Sequence, residues 1–273
     1  MGAHRQLTRL VKVSAAAVDG VRAPAPGVVV LAYHRVGGRS GSSVDLPRPL
    51  FAAQIAHLAA HHAVSSLDDA VDRLDAAPRG TSERVVVVSF DDGTADFADE
   101  AIDVLVAHRV PAVLYLATDH VERGVAFPDD GTPLSWSALR DLVATGLVTV
   151  GSHTHTHRLL DRVDAATAAE ELDRSIALVE DRLGVSCRHF AYPKALPAPP
   201  GTEGEVRRRF RSAAVSGCRP NRWGATDVHR LARSPIQRSD GLGWFRRKAA
   251  GGMHLEADLR RALDRRRYRS AAV

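Results

Sequence analysis

The sequence has little cysteine, few aromatic residues and no long hydrophobic run. Its 273 residues include only two cysteines, Cys187 and Cys218, and their spacing matches no zinc-binding motif. We expect both to be buried thiols and leave open whether they pair. No apolar run approaches the roughly 20 residues that a membrane-spanning helix requires, so we predict no transmembrane helix.

The N-terminus also lacks the features of a secretory signal. Residues 1–27, MGAHRQLTRLVKVSAAAVDGVRAPAPG, carry positive charges but no uninterrupted apolar segment. Apolar residues at helical spacing between Leu7 and Val18 predict a helical extension over residues 1–26, either packed on the domain or lying on a membrane interface. We therefore expect a cytoplasmic or peripherally membrane-associated protein.

Neither sign of charge dominates the chain. Lys and Arg number 37 against 32 Asp and Glu, a net charge of +5, and arginines concentrate in LRRALDRRRYRS, residues 259–270. This segment predicts a basic C-terminal helical extension over residues 241–273. It is typical of a solvated helix, although an anionic membrane surface, a phosphorylated substrate or nucleic acid would also suit it. Because no nucleic-acid-binding motif accompanies it, we expect no nucleic-acid partner, and we infer no protein partner.

Short apolar segments alternate with helical patterns through the middle of the chain. Helices are predicted near residues 50–62, 95–108, 135–146 and 164–184. Continuous apolar strands between helices indicate an α/β fold, either a parallel sheet covered on both faces or a closed (β/α) barrel. In both, the carboxyl ends of the strands carry the chemistry. The predicted strands are VVVLAY (28–33), RVVVVSF (84–90), AVLYLA (112–117), LVTVGS (147–152), RHFAYP (188–193) and RSAAVSG (211–217).

Two adjacent aspartates end the strand in VVVVSFDDGTADF, residues 85–97. Adjacent carboxylates repel each other, so the repulsion between Asp91 and Asp92 must be offset by solvent, by hydrogen bonds or by a cation. Asp92 or Thr94 could cap the following helix while Asp91 is solvated. Alternatively, a cation lies between the two carboxylates, or one acts as a base beside the metal bound by the other.

Three histidines follow another predicted strand in GSHTHTH, residues 151–157. A single histidine there would most often be structural. In a turn, however, His153 and His157 can face one centre while His155 points elsewhere, and neutral imidazoles suit zinc, iron, cobalt or nickel. Two histidines and one carboxylate leave positions open for water and substrate, as in a catalytic metal site.

SFDDG (89–93) and HTHTH (153–157) together resemble the first two motifs of the polysaccharide deacetylases, the NodB-homology domain of carbohydrate esterase family 4. FAYP (190–193) resembles a variant of the third motif, and the similarity runs from Val28 to Ile236. The resemblance implies a distorted, seven-stranded (β/α) barrel as the catalytic domain, which we place at residues 27–240. It also implies one divalent transition metal, foremost zinc with cobalt, iron or nickel as alternatives. Its ligands would be Asp92, His153 and His157.

The same resemblance implies the catalytic roles. Asp91 would be the general base that takes a proton from a metal-bound water, and a backbone N–H near Tyr192 and Pro193 would help the metal to hold the oxyanion. Most members carry the general acid on a late Leu-x-His strand, which this C-terminus lacks. The first strand ends in His34, as in the circularly permuted branch that includes poly-N-acetylglucosamine deacetylases. We therefore assign the acid to His34, with His254 as second choice.

The sequence departs from the family pattern in its third motif. An arginine that usually pairs with the base is replaced by Ala191. Arg233, in HRLARSPI, could supply the missing charge, although an arginine in this basic region is more often a surface residue. Trp223 and Trp244 lie in late segments and could stack on a sugar ring, but packing is the commoner role.

These features predict hydrolysis of the N-acetyl group of an N-acetylated sugar or polysaccharide, which would be the substrate partner. One alternative keeps the fold and metal but acts on another amide or on an O-acetyl ester. A second is a carbohydrate-binding relative without catalysis.

Overall fold

The computed structural model describes residues 12, 13, 15, 24–256 and 258. Most of the predicted N-terminal helix and the arginine-rich segment 259–270 lie outside these residues. The predicted domain boundaries, membrane contact and cellular location stay predictions. Among the described residues, none of the helices combines the length and apolar character needed to cross a bilayer.

Ten strands are formed by the described residues. In chain order they are β1 (Gly27–Tyr33), β2 (Arg35–Val36), β3 (Asp45–Leu46), β4 (Ala63–Val64), β5 (Arg84–Phe90), β6 (Ala112–Leu116), β7 (Val148–Ser152), β8 (His189–Ala191), β9 (Ser212–Ser216) and β10 (Leu231–Pro235).

Eight α-helices connect or cover these strands within the same residues. They are α1 (Arg48–His61), α2 (Leu67–Ala76), α3 (Ile102–His108), α4 (Thr118–Arg123), α5 (Trp136–Ala144), α6 (Ala165–Leu183), α7 (Pro200–Arg209) and α8 (Gly243–Ala249). A π-helical turn, Phe97–Ala101, leads into α3.

Seven of the strands close into a parallel barrel. Strands β5 to β10 pair in sequence order, and β1 completes the ring by pairing with both β10 and β5. The β1–β5 pairing runs in register from Gly27 opposite Arg84 to Tyr33 opposite Phe90. Because every pairing is parallel, the carboxyl ends of all seven strands meet at one rim. The predicted seven-stranded (β/α) barrel is confirmed.

Alternation of side chains along each strand divides the apolar residues between two layers. Val28 and Val30 of β1 belong to a cluster in the barrel lumen, whereas Val29 and Leu31 belong to a larger cluster beneath the outer helices. Leu67 and Leu74 of α2 also join the lumen cluster, so this helix covers the amino end of the barrel. Burial on both faces explains the uninterrupted apolar runs in the sequence.

Most predicted elements are present, and a few were missed. Helix α6 has the predicted ends, since Asp164 caps its first turn by accepting from the Thr167 N–H and Gly184 ends it at φ 68°. Strand β10 was not predicted because LARSP is short and contains arginine and proline. Helix α7 was missed because PGTEGEVRRR has two glycines and an initial proline.

Candidate active site

Asp91 follows the last residue of β5 and is held by Arg233 of β10. The Arg233 guanidinium donates to both carboxylate oxygens, with Nη1 2.5 Å from Oδ1 and Nη2 2.9 Å from Oδ2. Both side chains are buried. Burial alone would raise the pKa of Asp91, but Arg233, with His153 and His34, overcomes it and holds this pKa well below its ordinary value. Asp91 is therefore an ionised carboxylate of fixed orientation.

Arg233 takes the place of the arginine that the third motif lacks. Ala191 lies at the end of β8, whereas Arg233 reaches Asp91 from the middle of β10. The expectation that Arg233 is a surface residue is wrong, since its side chain is only 2% exposed. Inward alternation along LARSP, between Leu231 and Pro235, is the sequence signal that could have placed it in the lumen.

Asp92 turns toward the site because its backbone is left-handed. In an extended strand Asp91 and Asp92 would point to opposite faces, but Asp92 has φ 76° and Gly93 has φ 97°. At Gly93 an added Cβ would lie 2.6 Å from Leu116 Cδ2, so no larger residue fits without displacing that side chain. This strained turn is a feature often found at functional sites.

His153 and His157 face Asp92 from the loop after β7. The Nε2 atoms of His153 and His157 lie 3.7 and 3.5 Å from Asp92 Oδ1. His153 Nδ1 lies 2.7 Å from the Ala191 carbonyl oxygen, which can only accept, so Nδ1 must carry the proton. Nε2 is therefore the nitrogen whose lone pair can bind a metal at this site.

His157 is also prepared as a neutral ligand. Burial, together with the neighbouring His153, lowers the pKa of His157 to about 4. At neutral pH its imidazole is therefore uncharged. The ligand atoms of Asp92, His153 and His157 all lie within 4.8 Å of one another. A carboxylate and two imidazoles at this separation fit one transition-metal ion, and the partly exposed Asp92 and His157 leave the centre open on one side.

His34 lies beside Asp91 at the end of β1. Its Nε2 atom is 3.8 Å from Asp91 Oδ2, and the side chain is 28% exposed. Its Nδ1 atom is buried and has no hydrogen-bond partner among the described residues. The imidazole therefore lies between Asp91 and solvent, where a leaving group could reach it. His254, the second choice for the acid, lies just before Leu255, which packs with Cys218, Met253 and Trp244 in a separate cluster.

His155 points away from the three candidate ligands. Its Nδ1 atom lies 2.9 Å from Thr118 Oγ1, and its Nε2 atom is 3.6 Å from Asp119 Oδ1. Both partners begin α4, so the imidazole joins the loop after β7 to that helix. This placement agrees with its assignment outside the metal centre.

The loop after β8 offers no free donor at the two predicted oxyanion residues. The Tyr192 N–H donates to the Ala214 carbonyl at 3.1 Å, and Pro193 has no N–H. The backbone N–H that was predicted to bind the oxyanion is thus already hydrogen-bonded to the neighbouring strand. The oxyanion role of this loop remains a prediction, and it would require Tyr192 to give up that bond.

The remaining predicted residues have structural placements. Trp223 is buried against the lumen cluster and donates from Nε1 to the Glu83 carbonyl, and Trp244 packs against the cluster of Ala15, Cys218 and Met253. Neither arrangement is that of an exposed sugar platform. Cys187 and Cys218 are buried free thiols, as expected, so they do not pair.

Comparison with known proteins agrees with this site. Residues 79–199 match the family model described as polysaccharide deacetylase, a segment that contains the Asp pair and the histidine motif. Over this segment, which is less than half of the chain, the predicted resemblance to the polysaccharide deacetylases is confirmed. With it the predicted class of enzyme is confirmed, a hydrolase of carbon–nitrogen bonds. No curated protein sequence matches the chain significantly.

Solved structures share the fold at low sequence identity. IcaB from Ammonifex degensii has a TM-score of 0.70 and 24% identity, covering 83% of this chain and 98% of its own. The deacetylase PplD from Streptococcus pyogenes, solved with acetate, has a TM-score of 0.68 and 18% identity, covering 79% and 95%. The BpsB deacetylase domain from Bordetella bronchiseptica has 0.61 and 20%, covering 78% and 98%. The predicted place in the circularly permuted branch stays a prediction.

Proposed function

We propose that this protein is a metal-dependent deacetylase that hydrolyses the N-acetyl group of an N-acetylated sugar or polysaccharide. One observation carries the proposal: an ionised, arginine-held Asp91 stands directly beside a three-residue site suited to a metal, at the rim of a barrel. The family match and the acetate bound to PplD support acetyl transfer to water as the reaction.

We assign the metal to Asp92, His153 and His157, with zinc as first choice and cobalt, iron or nickel as alternatives. A divalent ion at these ligands would supply Lewis-acid chemistry, polarising the acetamide carbonyl and making a water molecule more acidic. The hydrogen bond from His153 Nδ1 to Ala191 fixes one ligand ring before any ion binds.

Asp91 and His34 divide the proton transfers. Asp91 accepts a proton from the attacking water, and Arg233 keeps both carboxylate oxygens in place while it does so. His34, 3.8 Å from the base, donates a proton to the departing amine, so that the products are acetate and a free amine. The bidentate contact with Arg233 makes Asp91 a weak base. A metal at the neighbouring ligands would offset this by making the water more acidic.

Metal content and acetate release test the proposal together. We expect about one transition-metal ion per chain in untagged wild-type protein, lost in Asp92→Ala and His153→Ala and kept in the matched control His155→Ala. Wild type should release acetate from N-acetylglucosamine oligomers, and His34→Ala should retain metal while losing most of its turnover.

Other outcomes would point to the alternatives. Acetate release from O-acetylated xylan but not from the N-acetylated oligomers would indicate an esterase with the same centre. No metal after reconstitution with zinc, cobalt or iron, and no release from either substrate, would contradict the enzyme and favour a carbohydrate-binding relative.

A further inference from the structure

The barrel lumen holds a tyrosine beside the arginine that grips Asp91. Tyr115 lies on β6, fully buried and directly opposite Gly151 of β7. The Arg233 Cζ atom is 5.3 Å from the centre of the Tyr115 ring, within the range of a cation–π contact. The guanidinium is therefore fixed from two sides, by the Asp91 carboxylate and by the face of this ring.

Space for the ring is made by small residues on the neighbouring strands. At Gly151 an added Cβ would lie 2.8 Å from Tyr115 Cδ1 and 2.7 Å from the His189 carbonyl oxygen, distances that real Cβ atoms essentially never show. Ala191 and Ala214 face the same lumen cluster. An arginine at position 191, as in the usual third motif, would compete with Tyr115 and Arg233 for this volume.

The aromatic face, rather than the hydroxyl, makes the contact with Arg233. Tyr115 Oη is buried and has no hydrogen-bond partner among the described residues. Burial raises the pKa of the phenol well above its ordinary value, so the side chain is neutral. Removing the hydroxyl should therefore leave the arginine in place, whereas removing the ring should not.

We infer that Tyr115 is a positioning residue for Asp91 and acts through Arg233. The ring limits rotation of the guanidinium, so that both nitrogens meet the two carboxylate oxygens at once. The inference rests on the proposed role of Asp91 as the base. It assigns a part in the reaction to a residue of β6, which two strands, β5 and β1, separate from β10 around the barrel. Neither motif indicates this role.

Steady-state kinetics of acetate release test the inference. Tyr115→Phe keeps the ring and should retain kcat within about twofold, whereas Tyr115→Leu should lower kcat about tenfold or more with KM and metal content unchanged. Phe210→Leu is the matched control: it shortens another buried aromatic residue, one that stacks on Phe190 outside the lumen. It should lower stability without changing kcat. Tyr115→Met replaces Tyr115→Leu if the leucine variant does not fold.

A double-mutant cycle with Arg233→Lys identifies the route. Lysine keeps the charge but lacks the planar face that stacks, so Tyr115→Leu should lower kcat little further in that background. An unchanged kcat in Tyr115→Leu, or the same loss in both backgrounds, would overturn the inference. If the wild-type protein releases no acetate, the proposed function fails, and the inference is tested by stability instead. The same two substitutions are then combined in urea unfolding. If their effects on the free energy of unfolding are additive, Tyr115 does not hold Arg233 and the inference is overturned.

Discussion

Both ends of the barrel contain histidines close to an aspartate, but these side chains are hydrogen-bonded to each other at only one end. At the amino end, His189 uses both ring nitrogens, with Nδ1 2.8 Å from Ser212 Oγ and Nε2 3.0 Å from Asp68 Oδ1. At the carboxyl rim, the Nε2 atoms of His153 and His157 face Asp92 across 3.7 and 3.5 Å, too far for hydrogen bonds. At the amino end both nitrogens of a histidine are hydrogen-bonded, whereas at the carboxyl rim the two Nε2 atoms make no hydrogen bond to Asp92.

The difference shows what separates a structural polar cluster from a reactive one. Asp68 is further surrounded by cations, with Arg188 Nη2 at 2.9 Å and Arg211 Nη1 at 3.4 Å, and His189 and Ser212 are fully buried. The Ser212, His189 and Asp68 sequence of contacts resembles a hydrolytic triad only in its residue types, because no substrate can reach it. At the rim, in contrast, imidazole nitrogens and a carboxylate are available to bind a ligand and are open to solvent. This difference favours the rim as the functional end.

The largest effect should come from removing Asp91, the proposed base at the rim. Asp91→Asn keeps the shape of the side chain but cannot take a proton, so we expect turnover to fall by about 10²- to 10⁴-fold. Metal content should remain at the wild-type level. Acetate release and elemental analysis on the same preparation measure both, and a variant that retains most of its turnover would remove Asp91 from the proposed role.

A third cluster, which is fully paired, should affect stability rather than turnover. Asp240 is buried between Lys12 and Lys248, whose Nζ atoms lie 2.5 and 2.9 Å from its two carboxylate oxygens. Asp240→Asn removes the counter-charge of buried Lys12 and leaves buried Lys248 with Glu256, whose Oε2 atom lies 3.6 Å from Nζ. We expect a loss of about 3–5 kcal/mol in the free energy of unfolding at pH 7. Urea unfolding measures this loss.

The sign of its pH dependence follows from the pKa of Asp240. Burial alone would raise this pKa, but Lys248 and Lys12 lower it below its ordinary value of about 4. The ion pairs therefore contribute fully above that ordinary value, and their contribution is lost as the pH falls through the lower folded-state pKa. Asp240→Asn should flatten the acid part of the stability curve, and an unchanged curve would contradict the assignment.

Breaking the hydrogen bonds of His189 at the amino end should have a smaller, purely structural effect. His189→Ala removes the partner of the fully buried Ser212 hydroxyl, while Asp68 keeps Arg188 and Arg211. We expect a cost of about 1–3 kcal/mol. Thermal or urea unfolding would show it, while metal content and kcat of the folded protein stay at wild-type levels. A large fall in kcat at full metal content would mean that the two ends are coupled.

The smallest effect is expected at His155, which lies near the proposed metal ligands but points away from them. His155→Ala removes a contact with Thr118, worth about 0.5–1.5 kcal/mol of stability. Turnover should stay within about twofold of wild type. A loss of metal comparable to that in His153→Ala would place His155 among the ligands.

Sequence patterns predicted the rim well because parallel strands impose its geometry. Asp92, His153 and His157 lie in two motifs about sixty residues apart, yet each follows a strand, and the ends of β5 and β7 must meet at one rim. The position of His34 follows in the same way, since β1 pairs with β5 in register up to Tyr33 and Phe90.

What the sequence did not reveal depends on contacts between distant strands. Arg233 lies 142 residues from Asp91. The alternation in LARSP places Arg233 in the lumen only once this short segment is known to be a strand of the barrel. The Tyr192 N–H was predicted to be free because the pairing of β8 with β9 at Ala214 could not be foreseen from RHFAYP. The left-handed backbone at Asp92 could likewise not be predicted from the sequence, although Gly93 indicates a turn there.

The closure of the ring by its first and last strands has a consequence for synthesis. Strand β1 is made before any other barrel strand, and Val30 pairs with Arg233 about two hundred residues later. Until β10 has left the ribosome, β1 and β9 each present an unpaired edge, and the carboxylate of Asp91 has no guanidinium. A stalled chain that ends before β10 would therefore be both inactive and prone to aggregate, even though it already carries both motifs.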